Sequence, residues 1–287
     1  MSIRLKQLQS RLEQLDGFQS PDIALEQYNT PAYVAAHLLL HAMELDCIVG
    51  KNILDLGCGP GILGIGAKIL DALTVTSVDI DDSALSIAQS NAEHADVSIE
   101  FIRADVFESL PTLLLPQIIN AKLSLSDTPE SEFPVLQSPP TLPLFDTVLM
   151  NPPFGTRKSG ADLEFLRIAC LLCQGSVFSL HKSSTRKHIV NTVKKWGLSC
   201  TPVGQYDYQI DAMYSFHKQD RVSVEVDLLR IDCSGMKEEM AKLINLPSGQ
   251  VFQGLPIWTD CQLSGEKPKK GREKKPTTKS KRGKGRR

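Results

Sequence analysis

Residues Ile53–Gly61 read ILDLGCGPG, a short apolar run that passes directly into a glycine-rich turn. We interpret Asn52–Leu56 as a strand, and the apolar spacing after the turn predicts a helix over Ile62–Leu70. Glycines in such a turn let the backbone approach a ligand closely, and the first N–H groups of the following helix are available to bind it. This segment therefore predicts a strand, a ligand-binding turn and a helix in succession.

The chain on either side of this unit alternates between strand and helix patterns. The predicted strands are Asn52–Leu56, Thr74–Asp79, Ile99–Arg103, Phe145–Met150, Ser176–Leu180 and Val222–Ile231. The predicted helices cover residues 1–15, Ala32–Glu44, Ile62–Leu70, Ser83–Ala95, Leu163–Cys173 and Ser184–Trp196. Strands that alternate with helices indicate an α/β domain around a mostly parallel sheet.

The net charge of −1 over 287 residues averages two unequal parts. Residues 266–287 hold 12 Lys or Arg and two Glu. Residues 1–265 therefore hold 20 basic and 31 acidic residues. Because this basic tail has no apolar residue to bury, we expect it to be disordered and to bind nucleic acid or direct nuclear import. The charged N-terminus and the lack of an apolar run of about 18 residues predict no secretory signal and no membrane contact. We expect a protein of the nucleus and cytoplasm.

Three other features bear on domain organisation. Residues 109–144 hold seven of the 17 prolines, which predicts a disordered insert between two strands. We assign no structure to the extension at 232–265. Cys170 and Cys173 form a CxxC pair without a second pair, so we interpret them as buried thiols and predict no metal site.

Acidic residues follow the next two strands of the pattern. A carboxylate at the position of Asp79 can accept hydrogen bonds from both ribose hydroxyls of an adenosyl ligand. Asp105 ends the next strand, where it could meet the adenine. Because Gly59, Gly61 and Gly64 also fit the dinucleotide-binding spacing, an NAD enzyme remains an alternative at this point.

The stretch Asn151–Phe154 reads NPPF and follows a predicted strand directly. Its two prolines stiffen the backbone, so the Asn151 side-chain oxygen and the Pro152 carbonyl would hold fixed positions. These two acceptors could bind both hydrogens of an exocyclic amino group while Phe154 stacks on the ring. This arrangement supports catalysis by positioning and electrostatics, and a hydride-transfer enzyme has no use for it.

These motifs together resemble the class I S-adenosylmethionine-dependent methyltransferases. Longer stretches resemble the methyltransferase-like protein 5 family, namely Leu25–Thr30 (LEQYNT), Asn151–Thr156 (NPPFGT), Ser179–Arg186 (SLHKSSTR) and Glu225–Arg230 (EVDLLR). The resemblance covers one domain over residues 1–231, apart from the insert. It implies a Rossmann-like sheet of seven mostly parallel strands with an antiparallel last strand and helices on both faces.

The resemblance also implies an activity and a set of site residues. The family methylates N6 of an adenosine in small-subunit ribosomal RNA, with a small zinc-ribbon activator protein as heterodimer partner. The implied catalytic residues are Asn151, Pro152, Pro153 and Phe154. The implied S-adenosylmethionine contacts are Gln27, Thr30, Gly57, Gly59, Pro60, Gly61, Ile62, Asp79, Asp105 and Val106. Because proline has no N–H, any contact at Pro60 must use other atoms.

Other functions stay open at this point. Enzymes with similar Asn-Pro-Pro-aromatic motifs methylate guanine N2 or the amide of a protein glutamine. A non-catalytic ribosome-assembly factor could use the same fold to hold RNA. A histidine directly after a strand is more often structural than a catalytic base, and this applies to His181. Lys182 could contact an RNA phosphate.

Overall fold

The computed structural model describes residues 3–106, 145–211 and 221–234. The strands are β1 (Asn52–Leu56), β2 (Thr74–Asp79), β3 (Glu100–Arg103), β4 (Phe145–Met150), β5 (Cys173–Lys182), β6 (Ser199–Asp211) and β7 (Arg221–Asp232). The helices in these ranges are α1 (Leu5–Leu12), α2 (Ala32–Glu44), α3 (Ile62–Ile69), α4 (Asp82–His94), α5 (Ala161–Leu172) and α6 (Arg186–Lys195), with a 3-10 turn over Ser183–Thr185. The predicted insert, the tail and the extension beyond residue 234 lie outside the described residues.

The seven strands form one sheet in the order β3-β2-β1-β4-β5-β7-β6. Strands β1 to β5 pair in parallel, whereas β7 runs antiparallel to both β5 and β6. The structure therefore confirms the predicted Rossmann-like sheet with its antiparallel last strand. In the ranges that the structure describes, every helix is too short or too polar to cross a membrane.

Both faces of the central strands are buried. Successive side chains of a strand point to opposite faces, and α1 to α3 pack against the face that carries Ile53 and Phe178. Leu54 and Val177 point to the opposite face and are also fully buried. Two apolar faces explain why these strands read as continuous apolar runs, and they confirm that helices cover both sides.

The edge strand β6 was absent from our predicted strands. Its sequence contains Pro202 and Gly204, both of which are unfavourable in a regular strand. In the structure, the pairing of β6 with β7 shifts its register between these two residues, and the edge position tolerates the proline. A second difference is Cys173, which we predicted as the end of a helix and which instead begins β5.

Gly175 allows β4 and β5 to pair closely. A Cβ atom at this position would lie 2.3 Å from the backbone oxygen of Asp146, so only glycine fits. The pairing of these strands runs on to Met150 opposite Ser179. It therefore places the NPPF segment after β4 beside the end of β5.

We expect Gly175→Ala to lower the free energy of unfolding by about 3 kcal/mol, because a backbone carbonyl in a paired strand cannot move aside as a flexible side chain can. The matched control is Gly197→Ala, whose added Cβ meets open space at a φ of +78°. This control should cost about 1 kcal/mol through backbone strain alone. Urea unfolding of both variants measures the difference, and an equal or smaller cost at Gly175 would contradict the close-approach account.

Candidate active site

A cavity of about 540 Å³ lies at the carboxyl ends of the central strands, the edge where open α/β sheets bind ligands. Eleven of the residues predicted from sequence line it, namely Gln27, Thr30, Gly57, Gly59, Pro60, Ile62, Asp79, Asp105, Val106, Asn151 and Pro153. Gly61, Pro152 and Phe154 are not part of the lining. Gly61 instead faces α4, since a Cβ there would lie 3.1 Å from that of Ala88. The structure thus brings most of the predicted site into one cavity.

The glycine turn requires its glycines for two physical reasons. Gly57, Gly59 and Gly61 have φ angles of +70°, +52° and +88°, which side chains rarely adopt. Aromatic rings also close over the turn, because a Cβ on Gly59 would lie 2.8 Å from Phe18 and one on Gly57 would lie 3.0 Å from Phe165. The motif therefore needs glycine both for its backbone conformation and for the close approach of these two rings.

Pro60 has no N–H to donate, and its carbonyl accepts a hydrogen bond within the protein. The side-chain nitrogen of the buried Asn91 donates to this oxygen at 3.0 Å. Asn91 also accepts the backbone N–H of Asp16 at 2.9 Å and donates to the carbonyl of the same residue. Asn91 thus fixes the turn against the segment that follows α1.

Two carboxylates lie beneath the turn. Asp79 accepts backbone N–H groups from Gly59 at 2.8 Å and from Asp81 at 3.0 Å, while burial raises its pKa. Asp55, whose role sequence reasoning missed, accepts the N–H of Gly64 at 2.7 Å through Oδ2. Its buried Oδ1 has no hydrogen-bond partner in the described part of the chain. Burial raises the pKa of Asp55 to about 7, against the effect of the Gly64 N–H and with a further contribution from the charge of Asp79.

The LEQYNT segment bridges the two ends of the cavity. Gln27 donates from Nε2 to Asp81 at 2.8 Å and accepts the N–H of Asp22 at 2.7 Å. Its neighbour Glu26 accepts the backbone N–H of Arg157 at 2.7 Å, in the loop after the NPPF segment. The segment therefore holds the acidic end of the cavity in register with Asn151.

The side-chain amide of Asn151 is fixed in one orientation. Its nitrogen donates one hydrogen bond to Thr30 Oγ1 at 2.9 Å and one to the hydroxyl of Tyr208 at 3.0 Å. The Tyr208 hydroxyl donates in turn to the carbonyl of Asn29 at 2.9 Å. Asn151 Oδ1 is buried without a hydrogen-bond partner among the described residues. With both amide hydrogens committed, the group offers its oxygen alone, as an acceptor.

Sequence reasoning also missed Tyr208. This side chain is fully buried, and burial raises its pKa, so the hydroxyl stays neutral and can donate. Its ring meets that of Phe154 edge to face, at 6.1 Å between centroids and 78° between planes. Only a correct prediction of β6 could have placed this tyrosine under the NPPF segment.

The end of β5 completes the surroundings of Phe154. The Lys182 ammonium lies 5.6 Å from the centre of the Phe154 ring. His181 is 1% exposed, and its Nε2 lies 2.8 Å from Ser179 Oγ. The structure therefore separates the two residues, with the lysine over the Phe154 ring and the histidine in the interior.

The arrangement is suited to holding a nucleoside ligand beside an amino group. An acidic, glycine-lined half is suited to a nucleoside ligand, and a fixed acceptor oxygen at the other end is suited to an amino group. In the described ranges, no cluster of three or more His, Cys, Asp or Glu side chains is arranged to hold a metal ion.

Comparisons with known proteins give one match to the acidic, glycine-lined half of the site and further matches to both halves. A model of the ribosomal protein L11 methyltransferase family (PrmA) matches residues 33–119, which contain the glycine turn and both acidic strand ends. This match covers less than half of the chain and ends before Asn151. It therefore covers the acidic, glycine-lined half of the site alone.

Full-length relatives extend over both halves. The rRNA N(6)-adenosine-methyltransferase METTL5 of Danio rerio is 36% identical over 231 residues, 79% of this chain and 98% of the relative. The corresponding Drosophila melanogaster protein is 36% identical over 233 residues, 80% of this chain and 97% of the relative. The crystal structure of PH1948 from Pyrococcus horikoshii, a proposed RNA methyltransferase, matches with a TM-score of 0.64 and 29% identity, over 81% of this chain and 98% of that one. The chain is thus a class I methyltransferase and belongs to the METTL5 family.

Proposed function

We propose that this chain transfers a methyl group from S-adenosylmethionine to N6 of an adenosine in small-subunit ribosomal RNA. The observation that carries the proposal is the Asn151 side chain, whose nitrogen is held by Thr30 and Tyr208 while its buried oxygen remains without a donor among the described residues. Relatives at 36–37% identity are named rRNA N(6)-adenosine-methyltransferases, which supports adenosine as the target.

The residues present fit the cofactor that the fold and the family imply. Asp79 already accepts two backbone N–H groups, and a carboxylate has further lone pairs for ribose hydroxyls. Asp55 Oδ1 offers an acceptor to a cationic group that enters the cavity, and no described residue now fills that role. S-adenosylmethionine supplies an electrophilic methyl group on a sulfonium. The glycine turn, Asp79 and Asp55 would hold it in the acidic half of the cavity.

The NPPF end acts on the amino group of the target base. Because the nitrogen lone pair is delocalised into the ring, this amino group is a weak nucleophile. Hydrogen bonds from its two hydrogens to Asn151 Oδ1 and to the Pro152 carbonyl favour a pyramidal nitrogen with a localised lone pair. Shielding of Oδ1 from water strengthens its interaction, and the fixed orientation avoids reorganisation during the reaction.

Positioning supplies the rest of the catalytic effect. The base must leave its helical stack to reach the cavity, and Phe154, which follows Pro153 of the cavity lining, would provide a ring on which it can stack. After transfer, the methylated nitrogen carries a positive charge and is strongly acidic, so its proton passes to water. The mechanism therefore needs no side-chain base, in agreement with the buried position of His181.

Three further proposals concern the whole protein. We infer that the active form includes a small zinc-ribbon activator subunit, as the family resemblance implies. The basic tail at 266–287 would supply an attraction for RNA that the acidic remainder lacks. A tail of this composition also supports location in the nucleus as well as the cytoplasm.

Asn151→Ala tests the proposed function. We expect kcat for ribosomal RNA to fall about 100-fold or more, because the variant loses the acceptor that acts in the transition state. Calorimetry should find nearly unchanged affinity for S-adenosylmethionine. The assay is nucleoside mass spectrometry of ribosomal RNA after incubation with labelled cofactor, the full chain and the activator. Asn191→Ala, on the exposed face of α6, is the control and should retain full activity.

Other outcomes of this assay would contradict the proposal in identifiable ways. Label in methylguanosine or in peptides would replace adenosine by guanine N2 or a glutamine amide as the target. An absence of cofactor binding even with the activator would indicate a ribosome-assembly factor. Full activity of the Asn151 variant would overturn the mechanism.

The raised pKa of Asp55 generates a prediction about stability and pH. Because the native carboxyl takes up its proton near pH 7 and an unfolded one near 4, the proton stabilises the native state below pH 4. This contribution is lost as pH rises to about 7, by an amount on the order of 4 kcal/mol. The ligand-free wild type should therefore lose stability over this range relative to Asp55→Asn, which cannot titrate.

Urea unfolding at several pH values between 4 and 8 measures this difference. Asp79 is present in both proteins, so the difference between them reports the titration of Asp55 together with its charge coupling to Asp79. Parallel pH profiles for the wild type and Asp55→Asn would contradict a carboxyl that is protonated near neutral pH.

A further inference from the structure

Lys182 occupies a position that the protein specifies closely. Its backbone oxygen accepts a hydrogen bond from Thr185 Oγ1 at 2.9 Å. The next residue, Ser183, donates to the buried Asp227 at 2.8 Å, and Asp227 also forms an ion pair with Arg186. The turn that follows β5 is therefore tied to β7 by a buried carboxylate, and this turn fixes the backbone from which Lys182 projects.

The ammonium of Lys182 contacts an aromatic face instead of a carboxylate. Four basic residues of the described ranges form ion pairs, among them Arg186 with Asp227 and Arg103 with Asp82. No described carboxylate lies within ion-pair distance of Lys182. The ammonium itself lies over the ring of Phe154, at 5.6 Å from the centroid. A cation over an aromatic face is held in place, yet its charge is not neutralised.

This charge lies where the proposed chemistry is least compatible with it. The methyl group arrives from a sulfonium, and the target nitrogen becomes positive as the bond forms. An unneutralised ammonium beside the ring on which the base stacks would oppose that change. An anion supplied by the substrate would remove the conflict.

The surroundings indicate that this anion is a phosphate of RNA. The loop after Phe154 carries two further basic residues, Arg157 and Lys158, both exposed, and Lys158 lines the cavity. Residues 1–265 carry 20 basic against 31 acidic residues, so the three cations Lys182, Arg157 and Lys158, which lie next to Phe154 in space or follow it in the same loop, contrast with the net charge of this region. Lysine binds phosphate as a point charge without a fixed geometry.

We propose that the Lys182 ammonium binds a phosphate of the substrate RNA next to the extruded adenosine, and this rests on the proposed function. The contact fixes the backbone of the target nucleotide while Phe154 holds the base and Asn151 holds its amino group. Lys182 is thus a substrate-binding residue that positions the nucleotide, and the bound phosphate neutralises its charge. It takes no part in cofactor binding.

The salt dependence of RNA binding tests this role. The full chain is titrated against a fluorescent single-stranded oligoadenylate between roughly 50 and 200 mM salt, without cofactor. For Lys182→Met, which keeps an unbranched apolar side chain over Phe154, the slope of log Kd against log salt should fall by about 0.7, the value for one phosphate on a single strand. Lys182→Arg should keep the wild-type slope. Lys194→Met, at an exposed position in the last turn of α6, is the control and should also keep it.

Kinetics separate this role from a structural one. In Lys182→Met the KM for RNA should rise, and affinity for S-adenosylmethionine should stay unchanged. A slope equal to that of the wild type, or an equal decrease in Lys194→Met, would overturn the proposal. A fall in kcat at unchanged KM would also overturn it, since that pattern indicates that Lys182 only holds the Phe154 ring in place. If the wild type binds RNA with a salt slope that depends on Lys182 but does not methylate the RNA, the phosphate site is retained and the proposed function is refuted.

Discussion

The pair of hydrogen bonds from the Asn151 amide nitrogen to Thr30 and Tyr208 is the constraint on which the proposed chemistry depends. An asparagine side chain can present either its nitrogen or its oxygen to a ligand, and here both hydrogens are committed within the protein. The oxygen is left as an acceptor for an amino group. The feature of the NPPF segment that the proposed chemistry uses is therefore a fixed orientation, which the four residues could not maintain alone.

That orientation requires three distant parts of the chain. Thr30 precedes α2, Asn151 follows β4, and Tyr208 lies in β6, on the far side of β7 from the parallel strands. The antiparallel β7 and the edge strand β6 return a tyrosine to the active-site end of the sheet. The close pairing of β4 with β5 at Gly175 places Lys182 beside Phe154 in the same way. Strand order thus links the fold to the site.

Sequence reasoning predicted the parts of the site that local patterns encode. The glycine turn and Asp79 follow strands with clear apolar patterns, and Asn151 precedes two prolines. It missed Tyr208, because Pro202 and Gly204 interrupt the pattern of β6. It also missed Asp55, which looks like an ordinary strand residue until burial leaves one of its oxygens without a donor in the described part of the chain. The contact between Asn151 and Tyr208 spans 57 residues, and a local pattern does not contain it.

The rate of methyl transfer by Tyr208→Phe tests the central claim most directly. The substitution removes a single hydroxyl, so one amide hydrogen of Asn151 loses its acceptor while the ring contact with Phe154 remains. We expect kcat to fall about tenfold or more, with unchanged affinity for S-adenosylmethionine, because the amide can then turn its nitrogen toward the substrate. A kcat equal to that of the wild type would show that the orientation of Asn151 does not depend on Tyr208.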